Sequence, residues 1–380
     1  MIYLDNSATT RPLEEAAAAV KHCFEEEYYN PSSAYGPAVR AERSVNDARA
    51  RLAQALGAAP AEIVYTSGAT ESNNMAIIAT QFARHTRGTL ITTKTEHPSV
   101  FEVYRFMENQ GYAVEYLDVD EDGAVRMDAL AAALTPSTAL VSIMQVNNET
   151  GAVNDIAQAQ ALIRSRAPQA LFHVDGVQAF CKMPFNKVPC DLYSISAHKF
   201  HGPKGIGALY VRQNTPFLGG FIGGGQERGL RSGTTNTPGI LGMDAALTAY
   251  RSNHEEWVSA MRANKIRLAE YIRQMPDTVI NGPRPENGAP HILNASFLGV
   301  RGEVLLHALE ERGILVSTGS ACSAHKKGKN RILAAMGIAG PRQEGALRFS
   351  LCPFNTAEEM DVTAQALFDT VAFLRRYRRR

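Results

Sequence analysis

One segment of the chain places a lysine directly after an apolar run, at residues 191–205 (DLYSISAHKFHGPKG). Lys199 follows Ser196 and His198 there, and glycines and a proline come after it. A lysine amine whose pKa is lowered can attack a carbonyl group and form a Schiff base. A lysine that follows a strand is more often a solvated loop residue, so the interpretation depends on the other residues that would lie near it.

A second segment, HVDGVQ at residues 173–178, supplies an acid and an amide. Asp175 follows an apolar run directly, and Gln178 comes three residues later. A pyridoxal ring draws electrons well only when its nitrogen is protonated, and a neighbouring carboxylate stabilises that proton. Gln178 could donate to the phenolate oxygen of the same ring. The alternative is a helix-capping aspartate with a surface glutamine, and the pair alone does not decide between the two.

A third segment, YTSGATESNN at residues 65–74, runs from a strand into a helix through Gly68. The free N–H groups at a helix N-terminus bind phosphate, and Thr70 adds a hydroxyl donor. Any loop between a strand and a helix can contain a glycine, so this segment alone is weak evidence.

Two more strand ends carry polar side chains. His97 follows the run TLITT and could stack on a pyridine ring and move a proton, although an isolated histidine is more often structural. Asn148 follows the run ALVSIMQV. Five strand ends in succession therefore each offer a group suited to pyridoxal phosphate, and the set predicts that cofactor where no single member does.

The elements that position these groups alternate along the chain. Helices are predicted at 40–56, 72–84, 99–110 and 155–166, and strands at 62–66, 89–93, 139–146, 171–174, 192–195 and 206–211. Short apolar runs between helices are typical of a mainly parallel sheet that is covered on both faces. Ligands of such sheets bind at the carboxyl ends of the strands. Beyond about residue 250, a charged helix at 254–274, short strands at 292–298 and 314–316 and a last helix at 357–377 predict a second, smaller α+β domain.

Composition bounds the class of protein. The 380 residues are 45% hydrophobic with a formal net charge of +1, which gives no global attraction to nucleic acid or membrane. Neither a signal peptide nor a membrane-spanning run is expected. Five scattered cysteines do not resemble a disulfide framework, so we expect reduced thiols and a cytoplasmic location.

The ordered motifs resemble the cysteine desulfurase family, in its nitrogen-fixation and housekeeping iron–sulfur branch. The motifs are NPSS (30–33), TSGATES (66–72), TEHPS (95–99), VNNETG (146–151), HVDGVQ (173–178), SAHKFHGPKGIGALYV (196–211), RSGTTN (231–236), STGSACS (317–323) and LRFSL (347–351). The resemblance covers essentially the whole chain. It implies a class V aminotransferase-like, fold-type I pyridoxal-phosphate enzyme with a mainly parallel seven-stranded sheet. It further implies a large domain at 13–252 and a small domain formed by 1–12 and 253–380.

The resemblance also implies roles for single residues. Lys199 would hold the cofactor, Asp175 would pair with the ring nitrogen, Gln178 with the phenolate oxygen, and His97 would stack on the ring. The phosphate would be held by Ala69, Thr70, Ser196 and His198. Thr234 would reach the phosphate of a neighbouring subunit, which requires a homodimer with shared active sites.

Two residues point to the reaction. The guanidinium of Arg348 could bind the carboxylate of an amino-acid substrate, with Asn148 beside it, although most strand arginines are surface residues. Cys322 lies in STGSACSAHKKGKN, where the lysines at 326, 327 and 329 favour a thiolate. A transaminase has no use for such a thiol, whereas a desulfurase needs one to receive sulfur. The prediction is a cysteine desulfurase that leaves a persulfide on Cys322 and releases alanine.

Alternatives remain open at this point. Within enzymes, the chain could be a selenocysteine lyase or another class V member, and outside enzymes it could be an idle protein that keeps the fold to bind a partner. No metal is predicted, because Cys322 and His325 have no second pair of ligands nearby. The basic end RRYRRR (375–380) is interpreted as a solvated tail, or else as a patch for an acidic acceptor protein or tRNA. The sulfur acceptor could be an iron–sulfur scaffold, a tRNA thiolase or a cofactor pathway.

Overall fold

The computed structural model describes residues 1–84, 87–319 and 330–377. Its helices, in chain order, are α1 (Glu14–Glu25), α2 (Gly36–Leu56), α3 (Ala69–Asn74), α4 (Thr80–Phe82), α5 (Pro98–Asn109), α6 (Met127–Ala133), α7 (Ile156–Arg166), α8 (Thr237–Arg273), α9 (Gly302–Glu310), α10 (Arg331–Ala335), α11 (Gly340–Glu344) and α12 (Ala357–Tyr377). A π-helical turn at Met75–Ala79 joins α3 to α4. The predicted helices are confirmed within a few residues at their ends, with one exception. The helix predicted at 254–274 is the second part of α8, which begins at Thr237 and leaves helical geometry at Asn253.

The strands are β1 (Ile2–Tyr3), β2 (Ile63–Thr66), β3 (Thr89–Thr93), β4 (Val114–Leu117), β5 (Thr138–Met144), β6 (Leu171–Asp175), β7 (Leu192–Ser196), β8 (Gly207–Val211), β9 (Thr278–Asn281), β10 (Ile292–Phe297), β11 (Ile314–Leu315) and β12 (Ala346–Ser350). Seven of them form one sheet in the order β2-β8-β7-β6-β5-β3-β4. Strand β8 runs opposite to the other six strands of this sheet, which confirms the predicted mainly parallel seven-stranded sheet.

The sequence analysis missed β4, a four-residue strand at the edge of the large sheet. Its sequence is VEYL, and its residues are partly exposed except for Leu117. An edge strand that is short and half-exposed lacks the continuous apolar run that identifies the central strands. The other six strands of the sheet are confirmed.

Two apolar clusters cover the two faces of this sheet. Successive residues of one strand point to opposite faces, so Val141 and Ile143 join one cluster while Leu140 joins the other. Strands β5 to β8 are buried along their whole length, which explains why they read as continuous apolar runs. The carboxyl ends of β3, β5, β6 and β7 therefore meet at one rigid edge.

The rest of the described chain forms two smaller sheets. One is antiparallel, in the order β12-β10-β9, and the other pairs β1 with β11 in parallel. A third apolar cluster, which includes Leu293, Phe349 and Leu367, lies among these strands and helices. Helix α8 runs from the large sheet toward this cluster and leaves helical geometry at Asn253. The division into domains at residues 12/13 and 252/253 stays a prediction. Within the described residues, every helix is too short or too polar to cross a membrane.

Candidate active site

Lys199 ends the short 3₁₀ turn Ala197–Lys199 that follows β7. Its amine donates to the carbonyl oxygens of Ser7 at 2.6 Å and Ala8 at 2.8 Å. Next to it, His198 Nδ1 lies 3.2 Å from the Thr9 hydroxyl. Burial and the neighbouring lysine charges lower the pKa of His198 to about 4. The N-terminal segment after β1 thus closes over the lysine.

A second amine lies beneath the first. Lys182 is buried, and its Nζ donates to the carbonyl oxygen of Lys199 at 2.7 Å. Burial and the charge of Lys199 lower the pKa of Lys182 to about 7. The sequence analysis did not single out Lys182, because CKMP at 181–184 resembles an ordinary loop. The hydrogen bond fixes the peptide group of the residue proposed to hold the cofactor.

Asp175, the last residue of β6, has its carboxylate held from two sides. Asn73 Nδ2 donates to Oδ2 at 2.9 Å, and the Val177 N–H donates to Oδ1 at 3.0 Å. Burial raises the pKa of Asp175, while these donors and the charge of Lys199 act in the opposite direction. Gln178 Nε2 donates at 3.0 Å to the Ser7 carbonyl oxygen, which also accepts from Lys199.

His97 caps the N-terminus of α5, and its ring tautomer follows from its hydrogen bonds. Nδ1 accepts from the Ser99 N–H at 3.1 Å and lies 2.8 Å from the Ser99 hydroxyl. That hydroxyl accepts from Asn73 Nδ2 at 2.8 Å, so its own proton points to Nδ1. The neutral ring therefore carries its proton on Nε2. Burial, assisted by the charges of Lys199, Arg331 and Arg348, lowers the pKa of His97 to about 4.

The turn into α3 leaves a concave space lined mainly by backbone, which we call the cradle at Gly68. Gly68 has φ of 146°, and a Cβ at Gly207 would lie 2.7 Å from the Cα of Gly68. Beyond this close approach, the first N–H groups of α3 at Ala69 and Thr70 have no partner within the helix. Ser196 Oγ lies 3.5 Å from the position of a Gly68 Cβ. Backbone donors at a helix start beside a serine hydroxyl suit a phosphate group.

We call Asp175, Asn73, Gln178 and His97 the ring side of the site, and Arg348, Asp5, Glu149 and Asn148 the carboxylate side. On the carboxylate side, Arg348 Nη2 donates to Asp5 Oδ1 at 2.7 Å. Its Nη1 donates to the Asn148 carbonyl at 3.0 Å and lies 3.4 Å from Glu149 Oε1. Burial raises the pKa of Glu149 to about 7; the charge of Arg348 opposes that rise.

Two predicted residues stand apart from this geometry. Cys322 lies outside the described residues. Thr234 is exposed, in a loop whose Arg231 pairs with Glu71 of α3 at 2.8 Å. Of the other cysteines, Cys23, Cys181 and Cys190 are buried and Cys352 is partly exposed. Burial raises the pKa of Cys352, which disfavours a thiolate there.

Several site residues were missed at the level of sequence. Asn73 and Glu149 each lie within a motif that was noticed for another residue, and Asp5 lies in none of the motifs. The available signal was position, since Asp5 follows the apolar start MIYL and Glu149 follows Asn148. Partners that orient a functional side chain have no residue pattern of their own, so only the fold reveals them.

The described residues fit pyridoxal phosphate. The buried carboxyl of Asp175 would be stabilised by a cation against it, which a protonated ring nitrogen supplies. The amine of Lys199 lies within the same electrostatic reach, because its charge acts on both Asp175 and His97. The cradle at Gly68 offers backbone donors for a phosphate.

Comparison with known proteins agrees with this fit. The aminotransferase class-V family model matches residues 2–362. A protein of Trichormus azollae named "Cysteine desulfurase" is 40% identical over 378 residues, covering 99% of this chain and 94% of the relative. A solved structure named "NifS-like protein" superposes with a TM-score of 0.92 at 36% identity, covering 98% of this chain and 99% of the other. Another, titled "SspA in complex with cysteine", has a TM-score of 0.82 at 33% identity, covering 94% of this chain and 100% of the other. With a family match of this length on a fold of this topology, the chain belongs to the aminotransferase class-V family.

Proposed function

We propose that this chain is a pyridoxal-phosphate-dependent cysteine desulfurase, which converts L-cysteine to L-alanine and passes the sulfur to an acceptor. The observation that carries the proposal is a buried guanidinium, Arg348, whose charge acts on His97 together with the charge of Lys199. A fixed cation of this kind recognises the carboxylate of an amino acid. The relative named for cysteine desulfurase and the solved structure titled as a cysteine complex support the same substrate.

The cofactor would be held by residues that follow the strands of the large sheet. Lys199 would bind it covalently, Asp175 and Gln178 would hold its ring, and Ala69, Thr70, Ser196 and His198 its phosphate. When bound, pyridoxal phosphate supplies a protonated ring that withdraws electrons from the substrate's Cα.

Other steps depend on side chains and carbonyl groups of the protein, which transfer protons and bind the substrate. The amine of Lys199 moves the proton of the substrate's Cα, and the carbonyl oxygens of Ser7 and Ala8 orient that amine. His97 would lie against the ring and would offer the proton on its Nε2, because Ser99 holds Nδ1 as an acceptor. Arg348 and Asn148 hold the substrate's carboxylate.

Sulfur transfer is assigned to Cys322 on its sequence context alone. Its thiolate would attack the sulfur of the substrate, so that a sulfur–sulfur bond forms and the bond between Cβ and sulfur breaks. The electron pair of the broken bond stays with the carbon skeleton, which takes up a proton and leaves as alanine. A persulfide remains on Cys322.

The partners form part of the proposal. A homodimer would bring Thr234 to the phosphate of the neighbouring subunit, and exposed apolar side chains at Phe221 and Ile222 of the same loop support such a contact. The persulfide would serve an iron–sulfur scaffold, a tRNA thiolase or another cofactor pathway in the cytoplasm. No direct contact with nucleic acid is proposed.

The test measures sulfide and alanine released from L-cysteine in the presence of a reductant, with the visible spectrum recorded alongside. We expect a yellow wild type that releases both products, and a yellow Cys322→Ala variant that releases neither. Cys352→Ala is the matched control, since it removes a partly exposed thiol without the basic sequence around it.

Full activity of Cys322→Ala would overturn the assignment of the sulfur acceptor and favour a lyase that needs no protein thiol. Faster turnover of selenocysteine than of cysteine by that variant would identify the selenocysteine lyase alternative. A colourless protein that cannot be loaded with cofactor would instead leave a partner-binding protein.

A further inference from the structure

The guanidinium that is proposed to bind the substrate already lies against two carboxylates of its own chain. Arg348 contacts Asp5 at 2.7 Å and Glu149 at 3.4 Å, while its side chain is 5% exposed. With both acids ionised, the three groups carry one net negative charge. A substrate carboxylate would raise this to two net negative charges in a buried site, where water screens charges poorly.

Glu149 differs from Asp5 in ways that make it the acid that changes charge. Its side chain is 4% exposed, against 20% for Asp5. Its contact with Arg348 is the longer of the two, and within the described residues its Oε2 has no hydrogen-bond partner. A buried carboxylate oxygen without a donor is poorly stabilised when ionised.

The position of the Glu149 carboxyl is fixed by its neighbours. Asn148 Nδ2 donates to Oε1 at 3.2 Å, and Asn294 Nδ2 donates to the backbone oxygen of Glu149 at 3.2 Å. Gly319 has φ of +75°, and a Cβ there would lie 1.9 Å from Oε2, so the carboxyl packs directly on backbone. A group held in this way responds to a new negative charge by protonation rather than by movement.

We propose that Glu149 is a positioning residue for the substrate's carboxylate, and that it takes up one proton from solvent when that carboxylate binds to Arg348. The inference rests on the proposed function, in which Arg348 binds an amino acid. Protonation leaves the guanidinium to Asp5 and the substrate, so the filled site keeps the single net negative charge of the empty site.

Protonation of Glu149 costs little free energy near neutral pH, because the pKa of its carboxyl lies close to that pH in the ligand-free protein. Burial is the main cause that raises its pKa to about 7, with Arg348 acting against the rise and Asp5 adding to it. Among residues 1–84, 87–319 and 330–377, these two are the charged groups that act on it, one from β12 and one from the N-terminal segment. Below this pH the acid is already neutral, and above it each ligand molecule must bring a proton with it.

The sign of the effect follows from this linkage. Affinity for a carboxylate ligand should be constant below about pH 7 and fall by about tenfold per pH unit above it, because one proton is taken up per ligand. Glu149→Gln, which is always neutral at this position, should lose this tenfold fall per pH unit and should bind more tightly than the wild type at about pH 8.

The experiment titrates the cofactor-loaded protein with L-alanine, the product, from about pH 6 to about pH 8.5, and follows the visible spectrum. A second readout is the number of protons taken up, obtained by calorimetry in two buffers with different heats of ionisation. Glu96→Gln is the matched control: it is also a buried carboxyl with a raised pKa, but its Oε1 accepts from Thr93 and Met144 instead of Arg348. The control should keep the wild-type slope.

Lys182 titrates in the same range and is unchanged in all three proteins, so the difference between wild type and Glu149→Gln isolates Glu149. Asp5→Asn keeps Glu149 but removes the charge that raises its pKa, and should move the break in the curve to lower pH. This variant tests the proposal if Glu149→Gln fails to fold.

A wild type that binds alanine with no dependence on pH, or a Glu149→Gln variant with an unchanged slope, would overturn this inference and leave the proposed function intact. A loaded wild type that binds no alanine at any pH would instead overturn the proposed function.

Discussion

The ring side and the carboxylate side use buried acids in opposite ways. On the ring side, Asp175 receives hydrogen bonds on both oxygens, from Asn73 and the Val177 N–H. On the carboxylate side, two acids share one guanidinium, and Glu149 Oε2 receives no hydrogen bond within the described residues. The first arrangement holds a charge in place, whereas the second leaves one charge free to change.

The two sides also differ in how the chain builds them. The anchor of the ring side is the end of strand β6 in the large sheet, and its partners follow β2, β3 and β6 of the same sheet. The carboxylate side joins the N-terminal segment to β12, and Asp5 and Arg348 are 343 positions apart. Asp175, which is proposed to keep its charge, ends a central strand of the sheet. Glu149, which is proposed to change its charge, lies where the segment after β5 meets β12 and the N-terminal segment.

The largest effect is expected from Asp175→Asn. The amide keeps the acceptor for the Val177 N–H but cannot stabilise a cation, so kcat/KM for cysteine should fall on the order of 10²-fold. The measurement is alanine release by protein with a verified cofactor content. If activity were unchanged, the ring side would have no need of a fixed negative charge.

Asp191→Asn is the control for this change. Asp191 is equally buried but pairs with Arg164 and Arg212, away from the ring side. We expect this variant to lower the melting temperature while the folded fraction keeps its turnover. A parallel loss of turnover would mean that general destabilisation explains both variants.

Arg348→Lys tests the carboxylate side. The ammonium keeps the charge but loses the planar pair of donors that reach Asp5 and Asn148, so KM for cysteine should rise by about 30-fold, equivalent to about 2 kcal/mol. Steady-state kinetics would separate this from kcat, which should change less. Arg164→Lys, at the same distant ion pair as Asp191, should leave KM alone.

The sequence predicts the sheet edge well because its strands are buried on both faces and read as apolar runs, each ending in a polar residue. Lys199, Asp175 and His97 therefore stand out at strand ends. On the carboxylate side it singles out Arg348 and Asn148 but misses Asp5 and Glu149, since these two acids matter only through their contacts with the distant arginine. The half-exposed strand β4 was missed for a related reason, as its pattern is too short and too polar. The assignment of Cys322 still depends on sequence.

A smaller effect is expected from Asn73→Ala, which removes the side-chain donor shared by Asp175 and Ser99. A hydrogen bond to a charged group contributes about 1.5 kcal/mol, so kcat/KM should fall by roughly tenfold. Asn74→Ala is the matched control, because that amide donates to the Thr70 carbonyl of its own helix. Equal losses in the two variants would indicate disruption of α3 rather than of the ring side.

The smallest effect on turnover is expected at another buried acid, Glu96, which lies next to His97. Its protonation instead changes the free energy of unfolding. Burial is the main cause that raises its pKa to about 8, and the charge of Asp175 adds to the rise. Between about pH 4.5 and pH 8 the folded chain holds a proton on Glu96 that the unfolded chain has lost, so its free energy of unfolding falls as pH rises. Glu96→Gln holds no such proton and keeps the acceptor for Met144 and Thr93.

Denaturant unfolding of the cofactor-free protein should therefore show wild type and Glu96→Gln nearly equal at about pH 5. At about pH 8 the variant should be more stable by about 3 kcal/mol. The charge of Asp175 also raises the pKa of Glu96, so Glu96→Gln should stabilise the protein less when Asp175 is neutral. At about pH 8 we therefore expect the double variant Glu96→Gln, Asp175→Asn to differ less in stability from Asp175→Asn than Glu96→Gln differs from the wild type. A difference that does not change with pH would mean that Glu96 stays ionised in the fold, and that the sheet edge holds two fixed negative charges instead of one.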